Sequence, residues 1–308
     1  MTTIGFYGGS KIDGWRTKLG RHLDDFTLVD LMSPEGQLAD IALVWAPPEG
    51  QLAKMPNLRG IIMQGQGVDY MMRDQTVPRD IPLVRLVDPD MSNALSHWAI
   101  LAALDFWRDA AYYRDCQTSK TWQPIAQRPA SDAKIGIMGV GAIGGIMAQR
   151  FATLGFDVRG WARSMRQIDN VEIFAGDDGL APFLDGLNIL VSVLPLTPAT
   201  TGIINDQLFN QLAKGAYMIN GGRGPQLVEA DLLDAIDSGQ IAGAALDVFA
   251  IEPLPADHAF WSHPKITIWP HVAAQTNPNT AAMQVAAAIT AIMAGREPEN
   301  RVDWARGY

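Results

Sequence analysis

An apolar run, Lys134 to Met138, leads into Gly139-Val140-Gly141-Ala142-Ile143-Gly144. An amphipathic helical stretch to about Leu154 and a second apolar run at 158–161 follow. Strand, glycine turn, helix and strand close a βαβ unit, whose two strands must lie parallel in one sheet. A chain containing such a unit is committed to an α/β fold with a parallel sheet covered by helices. A glycine turn by itself says little. Set between a buried strand and a helix, it is the context a dinucleotide-binding turn requires. Gly139 permits the tight turn, Gly141 lets backbone approach a pyrophosphate, and Gly144 lets the helix pack close to the strand. Ala142 and Ile143 open the helix, where unpaired N–H groups face phosphate. The competing reading is a tight βα turn that binds nothing.

The rest of the chain repeats the pattern. Short apolar runs at 3–7, 27–31, 41–45, 58–64 and 83–85 alternate with polar helical stretches, and their apolarity on both faces predicts parallel strands. Further strands are expected at 189–193, 217–220, 243–247 and 267–268. The stretch 93–115, rich in Ala, Leu, Trp and Phe, reads as a helix too apolar for the surface, packed between domains or subunits. Residues 123–132, with two prolines, read as a connecting arm. An alanine-rich helix at about 280–294 returns to the first domain. The expected architecture is α/β, with two Rossmann-like or flavodoxin-like domains, parallel sheets and an active-site cleft between them. Residues 1–97 plus 279–308 form a substrate-binding domain, and 98–278 a dinucleotide-binding one.

At 308 residues the chain is long enough for two cores. A net charge of −9 without basic clusters argues against nucleic acid or an anionic membrane as partner. No apolar run approaches the roughly 18 residues of a membrane span, and the start lacks the pattern of a signal peptide. The single cysteine, Cys116, forms no internal disulfide and fits a reducing cytoplasm. No metal-ligand pattern stands out. In an acidic protein, a small anionic substrate needs a local positive site.

Cofactor choice turns on the end of the strand at 158–161. An NAD-specific site places Asp or Glu there to accept from the ribose 2′-hydroxyl. No acid occurs from Val158 to Gln167, while Arg159, Arg163 and Arg166 do, and Asp157 lies at the strand's start. Arg163 is the best clamp for a 2′-phosphate, with Ser164 as a further donor; Arg166 reads more readily as a solvated turn. One charge-assisted contact contributes about 1.5–3 kcal/mol, roughly a ten- to hundredfold preference for NADPH over NADH.

Three residues downstream of the glycine turn form a chemical set. Arg223, flanked by Gly222 and Gly224, offers the planar fork that grips a carboxylate and a carbonyl together. His271 follows Trp269-Pro270 and would donate a proton to the carbonyl oxygen. Glu252 is its natural partner, raising the imidazole pKa and fixing its tautomer. His22, His97, His258 and His263 have no comparable setting. Asp247, at a strand end, is read either as a contact to the nicotinamide amide or as a cap on the next turn.

On these motifs the chain resembles the D-isomer-specific 2-hydroxyacid dehydrogenases over nearly its whole length. The matching segments are the glycine turn, Leu194-Pro195-Leu196-Thr197-Pro198-Ala199-Thr200-Thr201-Gly202-Ile203-Ile204, residues 220–224 and 246–255, and Pro270-His271-Val272-Ala273-Ala274. Within the family, Ala42-Leu43-Val44-Trp45-Ala46-Pro47-Pro48, Gly65-Gln66-Gly67-Val68-Asp69 and the closing Arg306-Gly307-Tyr308 resemble the glyoxylate/hydroxypyruvate reductase A type. The resemblance implies a homodimeric, NADPH-dependent reductase of small 2-keto acids, with Arg223, Glu252 and His271 as its catalytic set. It implies that backbone amides around Gln66, Gly67 and Val68 hold the substrate carboxylate, and that Leu194, Pro195, Thr200 and Gly222 join the cofactor contacts. Trp45 is read as lining the pocket, or else as simple core. Two positions depart from the family's pattern: Trp269 and Gln66 each stand where a smaller residue is usual. Two other readings remain, a dinucleotide-sensing protein like the corepressors of this fold, and a same-family dehydrogenase acting on another 2-hydroxy acid.

Overall fold

The computed structural model describes residues 1–8 and 11–307, so the terminal Tyr308 of the closing motif lies outside the described residues. The chain divides into two compact units, Met1–Met91 with everything from Gln275 onward, and Ser92–Ala274. These borders fall six and four residues ahead of the expected 97/98 and 278/279. The first border moves because Leu95, Trp98, Ala99, Ala102 and Ala103 bury in the core of the second unit. The second moves because Thr276 and Asn277 bind within the first: the Thr276 hydroxyl donates to Gln64 O, and Asn277 Nδ2 donates to Asp90 Oδ2 at 3.1 Å.

The first unit holds five parallel strands, β1 (Thr2–Tyr7), β2 (Phe26–Asp30), β3 (Ile41–Val44), β4 (Gly60–Met63) and β5 (Leu83–Val84), in the order β2-β1-β3-β4-β5. Every residue of β3 and β4 is buried, which explains their uninterrupted apolar sequences. The helices Ile12–Leu19 and Pro278–Met293 cover one face through Trp15, Leu19, Ala282, Val285 and Ile289. The alanine-rich C-terminal helix therefore does return to this unit.

The second unit holds seven parallel strands: β6 (Lys134–Met138), β7 (Asp157–Ala162), β8 (Glu172–Ala175), β9 (Ile189–Ser192), β10 (Ala216–Asn220), β11 (Ile241–Leu246) and β12 (Ile266–Ile268). Their order is β12-β11-β10-β9-β6-β7-β8. The edge strand β8 is a correction, because Glu172-Ile173-Phe174-Ala175 is short and only partly buried and carries no buried-strand signal. The stretch 93–115 is a second one. It forms two helices, Pro89–Trp107 and Ala110–Thr118, interrupted where Asp109 takes φ 54°. The arm's Arg128 stacks on Trp107 at 4.0 Å, and Trp107 Nε1 donates to Pro129 O at 3.0 Å, tying the arm to the break. Only the first helix is apolar enough to be core; the second buries none of its residues. Among the described residues no helix is long and apolar enough to cross a membrane.

Candidate active site

In the second unit the strand order reverses between β6 and β9, so the loops leaving these two strands flank a crevice, the place where open α/β sheets take ligands. The glycine turn leaves β6 and Leu194 leaves β9. Gly139 has φ +99°, and a Cβ there would lie 3.1 Å from Val193 O. At Gly144 a Cβ would sit 2.1 Å from Gly139 O, which is the close helix–strand packing its spacing predicts. Gly141 differs from both. Its φ is −79°, and a Cβ there meets nothing within 4 Å. Nothing in the protein crowds position 141, so glycine there leaves the backbone open to a ligand on the helix Ala142–Thr153. Gly145 N is the first to bond along this helix, to Gly141 O at 2.9 Å, so the N–H groups before it face the crevice. These residues fit a dinucleotide pyrophosphate.

Substitutions should separate the two roles. Gly141→Ala is expected to change stability by no more than about 0.5 kcal/mol while weakening dinucleotide binding. Gly144→Ala should destabilise by about 1–3 kcal/mol, because the obstructing atom is backbone. Thermal melts and a fluorescence titration with NADPH check both. Equal loss of stability at the two positions would remove the ligand argument.

Beyond β7, Arg163 and Ser164 are exposed and leave the sheet beside the glycine turn, since Met138 pairs with Trp161. Asp157 lies at the opposite end of the strand. Arg159 is excluded as a clamp: its Nη1 donates to Asp185 O at 2.9 Å and its Nε lies 3.5 Å from Glu172. Arg166 is exposed, as a solvated turn residue is. It borders a surface depression of ≈ 500 Å³ shared with Gly141, Ala142, Gly145 and Gln149.

Arg223 is presented by a turn that its neighbours build. Asn220, fully buried at the end of β10, accepts from Gly222 N at 3.1 Å. Gln226, also fully buried, accepts from Arg223 N at 2.9 Å and donates to both Leu194 O and Pro195 O at 3.0 Å. Gln226 thereby ties the Arg223 turn to the loop beyond β9, a role that sequence reasoning missed. Thr200 Oγ1 knits that loop, donating to Pro195 O at 2.7 Å and accepting from Thr197 N at 2.8 Å. A Cβ at Gly222 would lie 2.5 Å from Gln226 Oε1 and 3.1 Å from Leu194 O, so a side chain there would displace the Gln226 bridge. The Arg223 side chain is fixed in turn by a bond from Nη1 to Gly222 O at 2.8 Å.

Glu252 and His271 meet beyond β11 and β12. His271 Nδ1 lies 2.7 Å from Glu252 Oε2, and Glu252 Oε1 accepts from Phe249 N at 2.9 Å. His271 takes φ 54° in a tight turn, its N–H directed at Asp247 O and Trp269 O. The hydrogen bond to Glu252 raises the imidazole pKa above 6.5 against the opposing pull of burial. Burial pushes the Glu252 carboxyl up, but the bonds from His271 and Phe249 N outweigh it and hold the carboxyl below its ordinary value. The raised imidazole and the lowered carboxyl both favour the ion pair, with the donor at Nδ1 and Nε2 without a partner among the described residues. The Arg223 charge reaches both groups, lowering the pKa of each. Guanidinium, carboxylate and imidazole thus act on one another.

Asp247 fills the capping role through one of its two oxygens. Its Oδ1 accepts from Val272 N at 2.8 Å and Ala273 N at 3.0 Å, and burial raises its pKa. Trp269 meets Trp98 edge-on at 6.5 Å between centroids, and Trp98 also backs Gly221, so the large residue at 269 continues a packed aromatic layer.

One expectation about the other histidines fails. His258 does have a carboxylate partner, with Nε2 3.3 Å from Glu229 Oε2. Twenty-nine residues separate the two, so no local pattern could show it. Its second nitrogen accepts from Phe260 N at 3.3 Å, which leaves the ring no atom for a substrate.

In the first unit the strand order reverses between β1 and β3, and Trp45 leaves β3 at that point with its N–H donated to Tyr7 O at 2.7 Å. Trp45 is half-buried, packs over Gly65 and meets Tyr70 edge-on at 5.7 Å. Gln66, Gly67 and Val68 follow β4. Among the described residues their N–H groups find no acceptor, and Gln66 Oε1 is buried without a partner.

Residues 100–273 match the family model of the NAD binding domain of the D-isomer specific 2-hydroxyacid dehydrogenases. The glyoxylate/hydroxypyruvate reductase A of Yersinia enterocolitica is 44% identical over 313 aligned positions, covering 100% of both chains. That of Serratia proteamaculans is 41% identical over the same extent. A D-isomer specific 2-hydroxyacid dehydrogenase from Xanthobacter autotrophicus Py2, in complex with NADPH and MES, superposes with a TM-score of 0.94 at 36% identity, covering 100% of this chain and 99% of that one. The NADPH-dependent glyoxylate/hydroxypyruvate reductase of Sinorhizobium meliloti, in complex with NADP and sulfate, superposes with a TM-score of 0.93 at 34% identity and 100% coverage of each chain.

Proposed function

Because the chain belongs to the D-isomer specific 2-hydroxyacid dehydrogenase family, we propose that it reduces small 2-keto acids, glyoxylate and hydroxypyruvate foremost, with NADPH as donor. The observation that carries this reading is the Glu252-paired imidazole of His271, its Nε2 unengaged, within electrostatic reach of Arg223. When bound, NADPH supplies the hydride for C2. The chain's own residues do the rest. Arg223 grips the substrate's carboxylate and carbonyl and polarises the latter. His271 passes its Nε2 proton to the carbonyl oxygen as the alcohol forms, and Glu252 supports the cation before transfer and the ring's orientation after it. The free amides of Gln66, Gly67 and Val68 are assigned to the substrate carboxylate, with Trp45 lining the pocket.

For the cofactor, the assigned contacts are Gly139, Gly141, Ala142, Ile143 and Gly144 on the pyrophosphate side, and Leu194, Pro195, Thr200, Gly222 and Asp247 toward the nicotinamide. Arg163 and Ser164 are assigned to the 2′-phosphate. The reading includes a homodimer in the cytoplasm; light scattering of the purified protein should return twice the chain's 33.5 kDa.

The deciding experiment is an NADPH-oxidation assay over glyoxylate, hydroxypyruvate, pyruvate and phenylpyruvate, repeated with NADH. Turnover of the first two is expected, with about a ten- to hundredfold preference for NADPH that Arg163→Ala largely abolishes. NADPH binding without turnover of any keto acid would support a dinucleotide-sensing protein instead. Turnover confined to the larger acids would assign a different substrate within the family.

A further inference from the structure

The loop that carries Glu252 is short of anchors. Phe249 is buried, and Gly224 lies so close behind it that a Cβ at 224 would sit 1.8 Å from Phe249 C. The next residues, Ala250 and Ile251, run through solvent, with Ile251 66% exposed. Phe249 N closes the loop on itself by donating to Glu252 Oε1 at 2.9 Å, and among the described residues one bond ties Ala250 to the rest of the unit: its N donates to Glu229 Oε1 at 3.3 Å. Glu229 opens the helix Glu229–Asp237, itself seated in the core by Leu232, Ala235 and Ile236. Its second oxygen lies 3.3 Å from His258 Nε2. Phe260 N, donating to His258 Nδ1, places the ring's proton on Nε2 and aims it at Glu229. The ring also packs edge-on against the buried Phe260 at 4.6 Å.

We propose that Glu229 and His258 are positioning residues: one carboxylate, steered by a ring locked to Phe260, holds the 249–252 loop so that Glu252 meets His271. The inference rests on the reading of His271 as the proton donor. Glutamine cannot replace Glu229, because its single oxygen serves only one of two donors, Ala250 N–H or His258 Nε2–H, and its own N–H groups face the other. With that tether loosened, Glu252 Oε2 is no longer held at 2.7 Å from His271 Nδ1, and the imidazole gives up its proton at lower pH. The charged groups acting on His271 are Glu252, Arg223 and Asp247. Neither substitution below alters any of them.

The test measures kcat and KM for hydroxypyruvate reduction across pH in the full-length protein, its Glu229→Gln variant and its His258→Leu variant, with thermal melts alongside. His258→Leu keeps the charge of Glu229, so a shared effect is one of geometry. Both variants are expected to move the upper pH limb of kcat downward. At pH 8 kcat should fall about two- to tenfold, with little loss at low pH and little change in KM. A limb that stays in place in both folded variants, or a loss equal at every pH, overturns the proposal. Should one variant not fold, the other carries the test. Absence of keto-acid reduction in the unsubstituted protein would instead tell against the proposed function itself.

Discussion

Replacing His271 by asparagine is expected to lower kcat for keto-acid reduction by about 10²–10⁴ with the fold preserved. Asparagine is the informative choice because position 271 has φ 54°, a conformation Asn tolerates and β-branched residues do not. The backbone bonds from His271 N to Asp247 O and Trp269 O survive, so the change removes the imidazole and little else. Reduction needs the protonated ring. Its pKa is raised above 6.5 in the folded protein, so the wild-type rate should hold through that value and decline only as pH rises through the raised one. In the oxidative direction the neutral ring is the acceptor, and the dependence reverses. Glu252→Gln should bring the limb back toward 6.5, because the hydrogen bond to Glu252 is the largest cause of the raise. Initial rates in both directions from about pH 5 to 9 decide the matter. A folded His271→Asn variant with near-normal rates would remove His271 from the mechanism.

Much of this was legible in the sequence because it is encoded locally. The glycine turn declares its strand and helix within a few residues, and β6 emerges where its apolar run predicts. The parallel sheets follow from apolar runs without alternation. The motifs bearing Arg223, Glu252 and His271 each leave a strand at its carboxyl end, where α/β sheets gather ligands. What escaped is encoded by partners distant in sequence. Gln226 reads as an ordinary loop residue until its side chain is seen bridging Arg223 and the loop at Leu194, 32 residues back. Glu229 and His258 are anonymous apart and informative together. The strand β8 went unread because an edge strand needs only one neighbour and half a buried face. The single helix expected over 93–115 failed because composition does not announce a left-handed residue such as Asp109.

The same geometry predicts an opposite signature for Arg223. Replacing it with glutamine should lower kcat/KM by about 30- to several-thousandfold, since removing one partner of a close charged pair costs about 2–5 kcal/mol. Arg223→Lys should recover little, because an ammonium cannot match the two-oxygen grip of a guanidinium. The turn itself should persist, for it is held by backbone groups: Arg223 N donates to Gln226, and Gly222 N to Asn220. What marks the effect as electrostatic is its direction along the pH axis. Arg223 lowers the pKa of His271, so its removal should carry the limb upward even as the rate falls, whereas Glu252→Gln carries it downward. A structural collapse of the site would move both the same way, by breaking the His271–Glu252 contact in each. Limbs displaced in opposite directions therefore require the guanidinium, carboxylate and imidazole to be in place together. Parallel displacement, or an Arg223→Gln variant that keeps more than about a tenth of wild-type kcat/KM, would take Arg223 out of the substrate's grip.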